Sequence, residues 1–282
     1  GALRGDADRS AWFRVTGQRG DMTAGEGQIG VDYDRTILHF GADVARFSTD
    51  GEDDLLIGLM GGYGSQDAHA KSDVTGYSSN AHIKGWGLGV YATWMQHGFN
   101  QRGWYADAWG MFGKYDADVS SRGFAKQEYD IDSTTLSIEG GYSFDVAKHG
   151  STVFWVEPQA ELIWNNTDMD GFTDESGSRI GGGGDSLTSR LGVRAAFTTD
   201  PQGMKDGSTG FVQLDWLHAI ERPEMTFDIY TASFGGEDAL RVGAGYEYNF
   251  SDKGRVGGKI DYTNTKGGDD NVAASLNVNF KF

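Results

Sequence analysis

Charged and amide side chains recur at every second position in several segments of this 282-residue chain. Glu157, Gln159 and Glu161 follow one another in this way, and further along Arg190 and Arg194 lie on one face, with Gly192 at the position between them. Carboxylates can act as general acids and bases, and mixed charges can also bind ions, water or a polar polypeptide. Side chains of a β-strand point to opposite faces in turn. The spacing therefore predicts a sheet with one polar face.

Other residues that could do chemistry form no recognisable catalytic or metal-binding pattern. The tetrapeptide Gly-Asp-Ser-Leu at 184–187 matches the start of a serine esterase family, but it follows a glycine run at the entry to a predicted strand. The six histidines are scattered, and none lies in the H-E-x-x-H pattern of a zinc site. Asp168 and Asp170, with Asp174 and Glu175, lack a full calcium-binding loop. We expect no catalytic residue, no metal site and no cofactor.

Composition excludes several classes of protein. The chain has no cysteine, hence no disulfide framework or thiolate metal site. Its 24 basic and 41 acidic residues give a net charge of −17, which argues against nucleic acid as a partner. No window approaches the roughly 18 uninterrupted apolar residues of a membrane-spanning helix. The first residues lack an apolar leader, so we expect a mature form or a fragment of a longer chain.

The elements that carry the polar positions are predicted to be twelve β-strands. The last, at 272–282, has apolar or small residues at even positions and small or polar residues at odd ones. Turns after even-numbered strands are mostly short, and polar loops after odd-numbered strands, such as those near 65–80, 117–128, 166–185 and 222–237, are mostly long. In the second strand the alternation shifts near 34–36, which indicates a bulge or an extension above a membrane.

An even number of strands with short turns on one side and long loops on the other is typical of a bacterial outer-membrane barrel. We therefore predict an all-β fold: a 12-stranded antiparallel transmembrane β-barrel spanning residues 10–282. Such a ring satisfies its backbone hydrogen bonds inside lipid. Apolar alternating residues such as Phe13, Leu59, Leu88 and Leu276 would face lipid. Aromatic girdles would include Trp86, Trp94, Trp104, Trp155, Trp164, Tyr246 and Tyr248.

The opposite face would line a hydrated bore. A barrel of this size should admit a helix or an extended chain, since about 8 strands leave little room and about 16 leave an open channel. The predicted pore-lining residues are Arg14, Asp107, Glu139, Glu157, Gln159, Glu161, Arg190, Arg194, Asp215, Arg241, Glu247 and Lys259, with Asp261 and Lys281 on the same face.

Several segments, taken in order, resemble the translocator domain of classical autotransporters of the AIDA and pertactin type. They are Trp-Phe-Arg-Val at 12–15, Gly-Ala-Asp at 41–43, Gly-Trp-Gly-Leu-Gly-Val-Tyr at 85–91, Asp-Gly-Phe-Thr-Asp at 170–174, Ser-Arg-Leu-Gly-Val-Arg at 189–194 and Phe-Lys-Phe at 280–282. Asn277 departs from the pattern, since many members have glycine there.

The resemblance implies a bacterial outer-membrane protein that exports and anchors an N-terminal passenger by type V secretion. It implies an upstream helix in the pore, with residues 1–9 as the end of its linker. It also implies that the barrel-assembly machinery recognises the terminal strand through Leu276, Val278, Phe280 and Phe282. Outer-membrane lipid would surround a monomer, and no enzymatic activity is implied for this region. A diffusion porin or small-solute channel would share the architecture, and an outer-membrane hydrolase is a third alternative.

Overall fold

A computed structural model describes residues 2–3, 9–24, 29–98, 102–121, 123, 125–173, 179–200, 205–222, 224–227, 230–233 and 236–282. The strands in these ranges are β1 (Ala2–Leu3), β2 (Ser10–Ala24), β3 (Ile29–Ser48), β4 (Asp54–Ser72), β5 (Ser78–Met95), β6 (Gly103–Ser121), β7 (Gln127–His149), β8 (Thr152–Thr173), β9 (Arg179–Thr198), β10 (Ser208–Glu221), β11 (Glu224–Phe227), β12 (Tyr230–Ser233), β13 (Asp238–Asn249), β14 (Gly254–Thr265) and β15 (Asp270–Lys281). No helix that is long and apolar enough to cross a membrane occurs in these ranges.

Twelve strands form one closed antiparallel ring, which confirms the predicted fold. β2 to β10 pair in sequence, β10 pairs with β13, and β13, β14 and β15 follow in order. The ring closes where β15 pairs with β2 and Leu276 lies opposite Val15. Beyond that pair, the amide of Phe282 donates to the carbonyl of Arg9 at 2.8 Å, so both ends of the barrel meet at one rim.

The predicted long loops are mostly strand, and this part of the prediction was wrong. β4 continues to Ser72 and β5 starts at Ser78, so most of the predicted loop at 65–80 lies in strands. β6 with β7 and β8 with β9 extend in the same way, and the predicted loop at 222–237 contains the hairpin of β11 and β12. On β4 the outward positions Asp67, His69 and Lys71 are polar and alternate with the inward Ala68 and Ala70, so the average composition of this segment resembled that of a loop.

The shift of alternation predicted near 34–36, which lies in β3, is not caused by a β-bulge. β3 pairs without interruption with β4 from Ile29 to Asp43, and the irregularity lies between Asp43 and Ala45. An extension above the membrane, the other explanation, agrees with the unbroken register.

The wall is much taller on one side than on the other. β3 to β9 contain between 18 and 23 residues each. β10 contains 14 residues, and β13, β14 and β15 contain 12 each. Much of the added length lies at the rim opposite to the termini, where Ile29 pairs with Ser72 and Thr173 pairs with Arg179. At the rim with the termini, β7 also extends beyond the start of β6, from Phe144 to His149.

A buried carboxylate organises the turn between β3 and β4. Asp53 is 1% exposed and accepts hydrogen bonds from the Thr49 hydroxyl at 2.7 Å, the Ser48 hydroxyl at 2.8 Å and the Trp94 indole nitrogen at 2.8 Å. The bonds from Thr49 above all, with those from Trp94 and Ser48, hold the pKa of Asp53 well below its usual value, against the opposing effect of burial.

This turn should lose stability in acid. Because the pKa of Asp53 is lower in the folded state, its contribution is complete above the ordinary pKa of about 3.9 and is lost as the pH falls toward the folded value. We expect Asp53→Asn to reduce the acid dependence of the thermal unfolding midpoint in detergent, followed by tryptophan fluorescence. Glu52→Gln, an exposed carboxyl in the same turn, should keep the native dependence. An unchanged acid dependence in Asp53→Asn would contradict this role.

Candidate functional site: the barrel lumen

The two faces of the barrel wall have different chemistry through the middle of the strands. Leu59, Leu88 and Leu276 point outward, and each is more than half exposed. The register places Leu59 beside Val90, and Leu276 beside Val15. Apolar side chains thus form a continuous outer band, as expected of a surface that contacts lipid.

Aromatic residues lie near the ends of this band, with one exception. Trp86, Trp104 and Tyr246 are exposed on the outer face, and the indole of Trp94 is fixed to the turn residue Asp53. Trp155 is 7% exposed, lies on the opposite face from its neighbour Phe154 and donates to the Thr198 hydroxyl at 3.0 Å. The assignment of Trp155 to a girdle was wrong, because its position in the alternation puts it on the inner face.

Arg190 is the centre of a buried charge cluster on the inner face. Its side chain is 5% exposed and contacts three carboxylates: Glu139 at 2.5 Å, Glu161 at 2.7 Å and Asp215 at 3.0 Å. These side chains come from β7, β8 and β10, so one guanidinium joins strands on both sides of β9. Buried charges are costly unless they are paired, and here each donor group of Arg190 has an acceptor.

Neighbouring residues extend this cluster along the inner wall. Asp215, which is 1% exposed, also accepts from Arg241 at 2.8 Å and Gln213 at 2.9 Å. Arg194 lies 3.7 Å from Glu157 and donates to Gln213. The result is a polar network across β7, β8, β9, β10 and β13.

Smaller polar contacts flank the network on either side. Asp107 accepts from the Thr93 hydroxyl, and Tyr105 donates to Glu139 at 2.6 Å. Lys259 and Asp261 form an ion pair at 2.9 Å on β14. Gln213, Tyr105 and Thr93 were not predicted as part of this site. Gln213 could have been found, because it alternates with Asp215 on one strand.

A second polar region lies at the end of the lumen nearest the termini. A cavity of about 510 Å³ is lined there by Arg14, Glu247, Lys281, Asp43 and Arg255, among others. Arg255 pairs with Glu247 at 3.3 Å, whereas neither Arg14 nor Lys281 forms an ion pair with a described residue. This end of the lumen therefore offers cationic side chains to a polar occupant.

Glycines on the inner face leave space for aromatic rings of the neighbouring strand. A Cβ at Gly58 would overlap the ring of Tyr91, and a Cβ at Gly41 would overlap Trp12. The Tyr91 hydroxyl donates to Asp43 at 2.6 Å, so the ring is held against the wall. Rings that lie along the wall leave the centre of the barrel unfilled.

The esterase-like motif does not assemble a catalytic site. The sequence also contains Asp-Trp-Leu-His at 215–218, the Asp-x-x-His spacing of that enzyme family. Because the two residues lie three apart on one strand, their side chains point to opposite faces. Asp215 belongs to the Arg190 cluster, whereas His218 contacts Asp238 at 2.9 Å. The Ser186 hydroxyl donates to the backbone carbonyl of Asn165.

The described part of the acidic sequence at 168–175 also provides no complete set of calcium ligands. Asp168 and Asp170 lie on β8 and are exposed, while Asp174 and Glu175 fall outside the described residues. Within the part of the chain that is described, no group of three or more metal-binding side chains occurs.

The terminal strand presents its apolar residues outward. Leu276, Phe280 and Phe282 are each at least half exposed. Val278 lies between Val256 on β14 and Phe13 on β2, and the ring of Phe280 meets that of Phe250 edge-on, with centroids 5.7 Å apart.

A closed twelve-stranded barrel with a lipid-facing band and a charged lumen defines an outer-membrane β-barrel protein. Residues 11–263 match the family model described as the autotransporter beta-domain. The chain belongs to this family and hence to the bacterial outer membrane, which confirms the resemblance inferred from sequence.

Two curated relatives illustrate the match. The uncharacterized protein YdeU of Escherichia coli strain K12 is 30% identical over 275 residues, covering 92% of this chain and 59% of that protein. The autotransporter adhesin AIDA-I of Escherichia coli is 26% identical over 288 residues, covering 97% of this chain and 22% of that protein. The chain thus spans about three fifths and about one fifth, respectively, of the length of these relatives.

Solved structures share the fold. The transport unit of AIDA-I from Escherichia coli superposes with a TM-score of 0.91 at 23% identity, covering 100% of this chain and 93% of that one. The beta domain of the Bordetella autotransporter BrkA gives 0.74 at 17% identity, covering 98% and 100%. The translocator domain of NalP from Neisseria meningitidis gives 0.65 at 14% identity, covering 99% and 90%.

Removing the central guanidinium should destabilise the barrel. Arg190→Met leaves three carboxylates close together without their cation, and the loss of one partner from a buried ion pair costs about 3 kcal/mol or more. Urea unfolding in lipid vesicles measures the change in free energy. Arg19→Met is the matched control, because Arg19 pairs with Asp34 at 2.7 Å while both side chains are mostly exposed, and it should cause no measurable change. Equal effects of the two substitutions would contradict this account.

Filling one glycine gap should also destabilise the wall. Gly58→Ala must displace Tyr91 from its position beside Asp43, and overpacking of this kind costs about 1–3 kcal/mol. The midpoint of heat-induced unfolding, read from mobility on a denaturing gel, should fall. Gly17→Ala should leave it unchanged, because a Cβ at Gly17 meets nothing within 4 Å.

Proposed function

We propose that this chain is the translocator unit of a longer polypeptide and that it exports and anchors an N-terminal passenger at the bacterial cell surface. The observation that carries the proposal is a closed barrel whose lumen is lined by charged side chains, from the cluster of Arg190 to the cationic end near Arg14. A polar lumen suits the passage of a hydrated polypeptide. Relatives several times longer than this chain include a named adhesin, which agrees with a passenger joined to such a unit.

An upstream helix is proposed to occupy the lumen after export, with residues 1–9 as the end of its linker and residues 10–282 as the barrel. The lumen-facing charges named from the sequence would contact this helix. Arg14 and Lys281 fit best among them, because each is cationic and neither forms an ion pair with a described residue. The positive charge of Arg190 is neutralised by the carboxylates of its own cluster. We therefore expect the helix to place uncharged polar side chains, rather than charged ones, beside this cluster.

The outward residues of the terminal strand are proposed to be the signal read by the barrel-assembly machinery. Leu276, Phe280 and Phe282 present apolar side chains on an exposed face, as such recognition requires. Outer-membrane lipid would surround a monomeric barrel in the finished state. No enzymatic role is proposed for this region, because Asp215 and His218 point to opposite faces.

Single-channel conductance in a planar bilayer tests the proposal. We expect this chain alone to conduct, because its lumen is hydrated and its inner rings lie along the wall. The polypeptide extended upstream by its native residues should stay closed, because the added segment fills the lumen. If both conduct alike, no upstream segment closes the pore, and a diffusion porin becomes the better assignment.

A further inference from the structure

Above the lipid-facing band, the two faces of the tall wall exchange their chemistry. On β4 the outward positions change from Leu59 and Tyr63 to Asp67 and His69 farther along the strand. The register with β5 continues unbroken through these pairs. The side chains therefore keep their alternating orientation, and only the residue types on each face change.

The outer face of this extension is charged. On β4 to β7 the outward side chains of His82 and Asp67 lie 2.7 Å apart, and those of Lys114 and Asp132 form an ion pair at 3.3 Å. Lys126, in the loop before β7, pairs with Asp118 at 3.0 Å. Carboxylates and ammonium groups at this density would not lie in hydrocarbon. The extension thus rises above the membrane.

The inner face at the same height is mostly apolar, although it does not contact lipid. Its polar residues include Arg35, which donates to Gln66 at 2.8 Å. Tyr33, Ala117 and Ile131 on this face are 7%, 1% and 8% exposed. Further apolar residues on this face are half-buried, and we call the apolar set the upper inner face. Its other members are Val31, Ala68, Ala70, Ala81, Ile83, Tyr115, Val119 and Tyr129.

The upper inner face is continuous with the lumen. A cavity of about 420 Å³ joins the two, with Ile83, Tyr115 and Ile131 on one part of its lining and polar residues such as Asn165 and His39 on the rest. The low wall of β10, β13, β14 and β15 stops short of this height. Within the described ranges, the apolar surface is therefore a curved wall formed by β3 to β7 and reached from the lumen, and β11 and β12 extend the sheet beyond β9.

We propose that the upper inner face binds apolar side chains of the polypeptide segment that leaves the lumen toward the cell exterior. This inference rests on the proposed function and specifies the chemistry of the occupant. A segment in the lumen would be polar beside the Arg190 cluster and would present residues such as leucine, isoleucine or phenylalanine where it passes Ile83 and Tyr115. Burial against these side chains removes apolar surface from water and holds the segment at the mouth of the barrel.

Photo-cross-linking in the full polypeptide, inserted in the outer membrane, tests where the segment lies. The photoreactive residue p-benzoylphenylalanine replaces Ile83 or Tyr115 on the inner face, and His82 or Asp116 on the outer face serves as the control at the same height. Mass spectrometry of the digested protein should find the upstream segment joined to positions 83 and 115 only. Cross-links from the inner positions to a glycolipid or to a second copy would overturn the proposal. So would an inner yield no higher than the outer one.

A charge introduced on the same face gives a second, independent measurement. In the upstream-extended polypeptide, Ile83→Asp should raise the fraction of time spent open by about tenfold, because an apolar contact is replaced by a charge. His82→Asp, the neighbouring outward position, should leave it unchanged, and both variants are checked for folding by heat-dependent gel mobility. If the unsubstituted extended polypeptide is closed and Ile83→Asp is equally closed, this inference fails while the translocator assignment stands. If the unsubstituted polypeptide is open, the proposed function fails first.

Discussion

The pairing of the last strand with the first barrel strand is the constraint on which the remaining structure depends. Backbone amides and carbonyls cannot be left unpaired in hydrocarbon, so a sheet in the membrane has to close on itself. Here β15 meets β2 along its length, and Arg9 and Phe282 extend the ladder by one further pair. Closure fixes which face of every strand is inside. As a result, the alternation of apolar and polar residues along each strand produces two surfaces, one that contacts lipid and one that lines the lumen.

The lumen remains polar because its charges neutralise one another across strands. Arg190 alone would be too costly to bury, but contacts with carboxylates on β7, β8 and β10 compensate for its lost hydration. Glycines complete the arrangement, since the gaps at Gly58 and Gly41 receive aromatic rings that would otherwise project into the centre. Cross-strand charges and flat rings together provide a wall that is firm and a bore that stays open, which is what a translocator requires.

The height of the wall adds a function that a simple channel does not need. A ring of about uniform height would be enough to span the membrane, yet β3 to β9 rise well beyond the low strands on the other side. Their outer charges keep this part in water, and their inner apolar residues provide a surface at the exit of the lumen. The same alternation of side chains therefore provides an outer apolar face for lipid within the membrane and an inner apolar face for the emerging polypeptide above it.

Strand number, closure and the assignment of charged residues such as Glu161 and Arg190 to one face followed from the sequence alone, because alternation is a local property that survives in any sheet. Family membership followed from short segments in a fixed order. Local alternation could not reveal which residues meet across strands. The contact of Gly58 with Tyr91, or of Arg190 with Asp215, depends on register between strands. Nor could average polarity separate a loop from a strand with one charged face, as at 65–80. Only the tertiary structure decided these points, because register and height are set by pairing with neighbours.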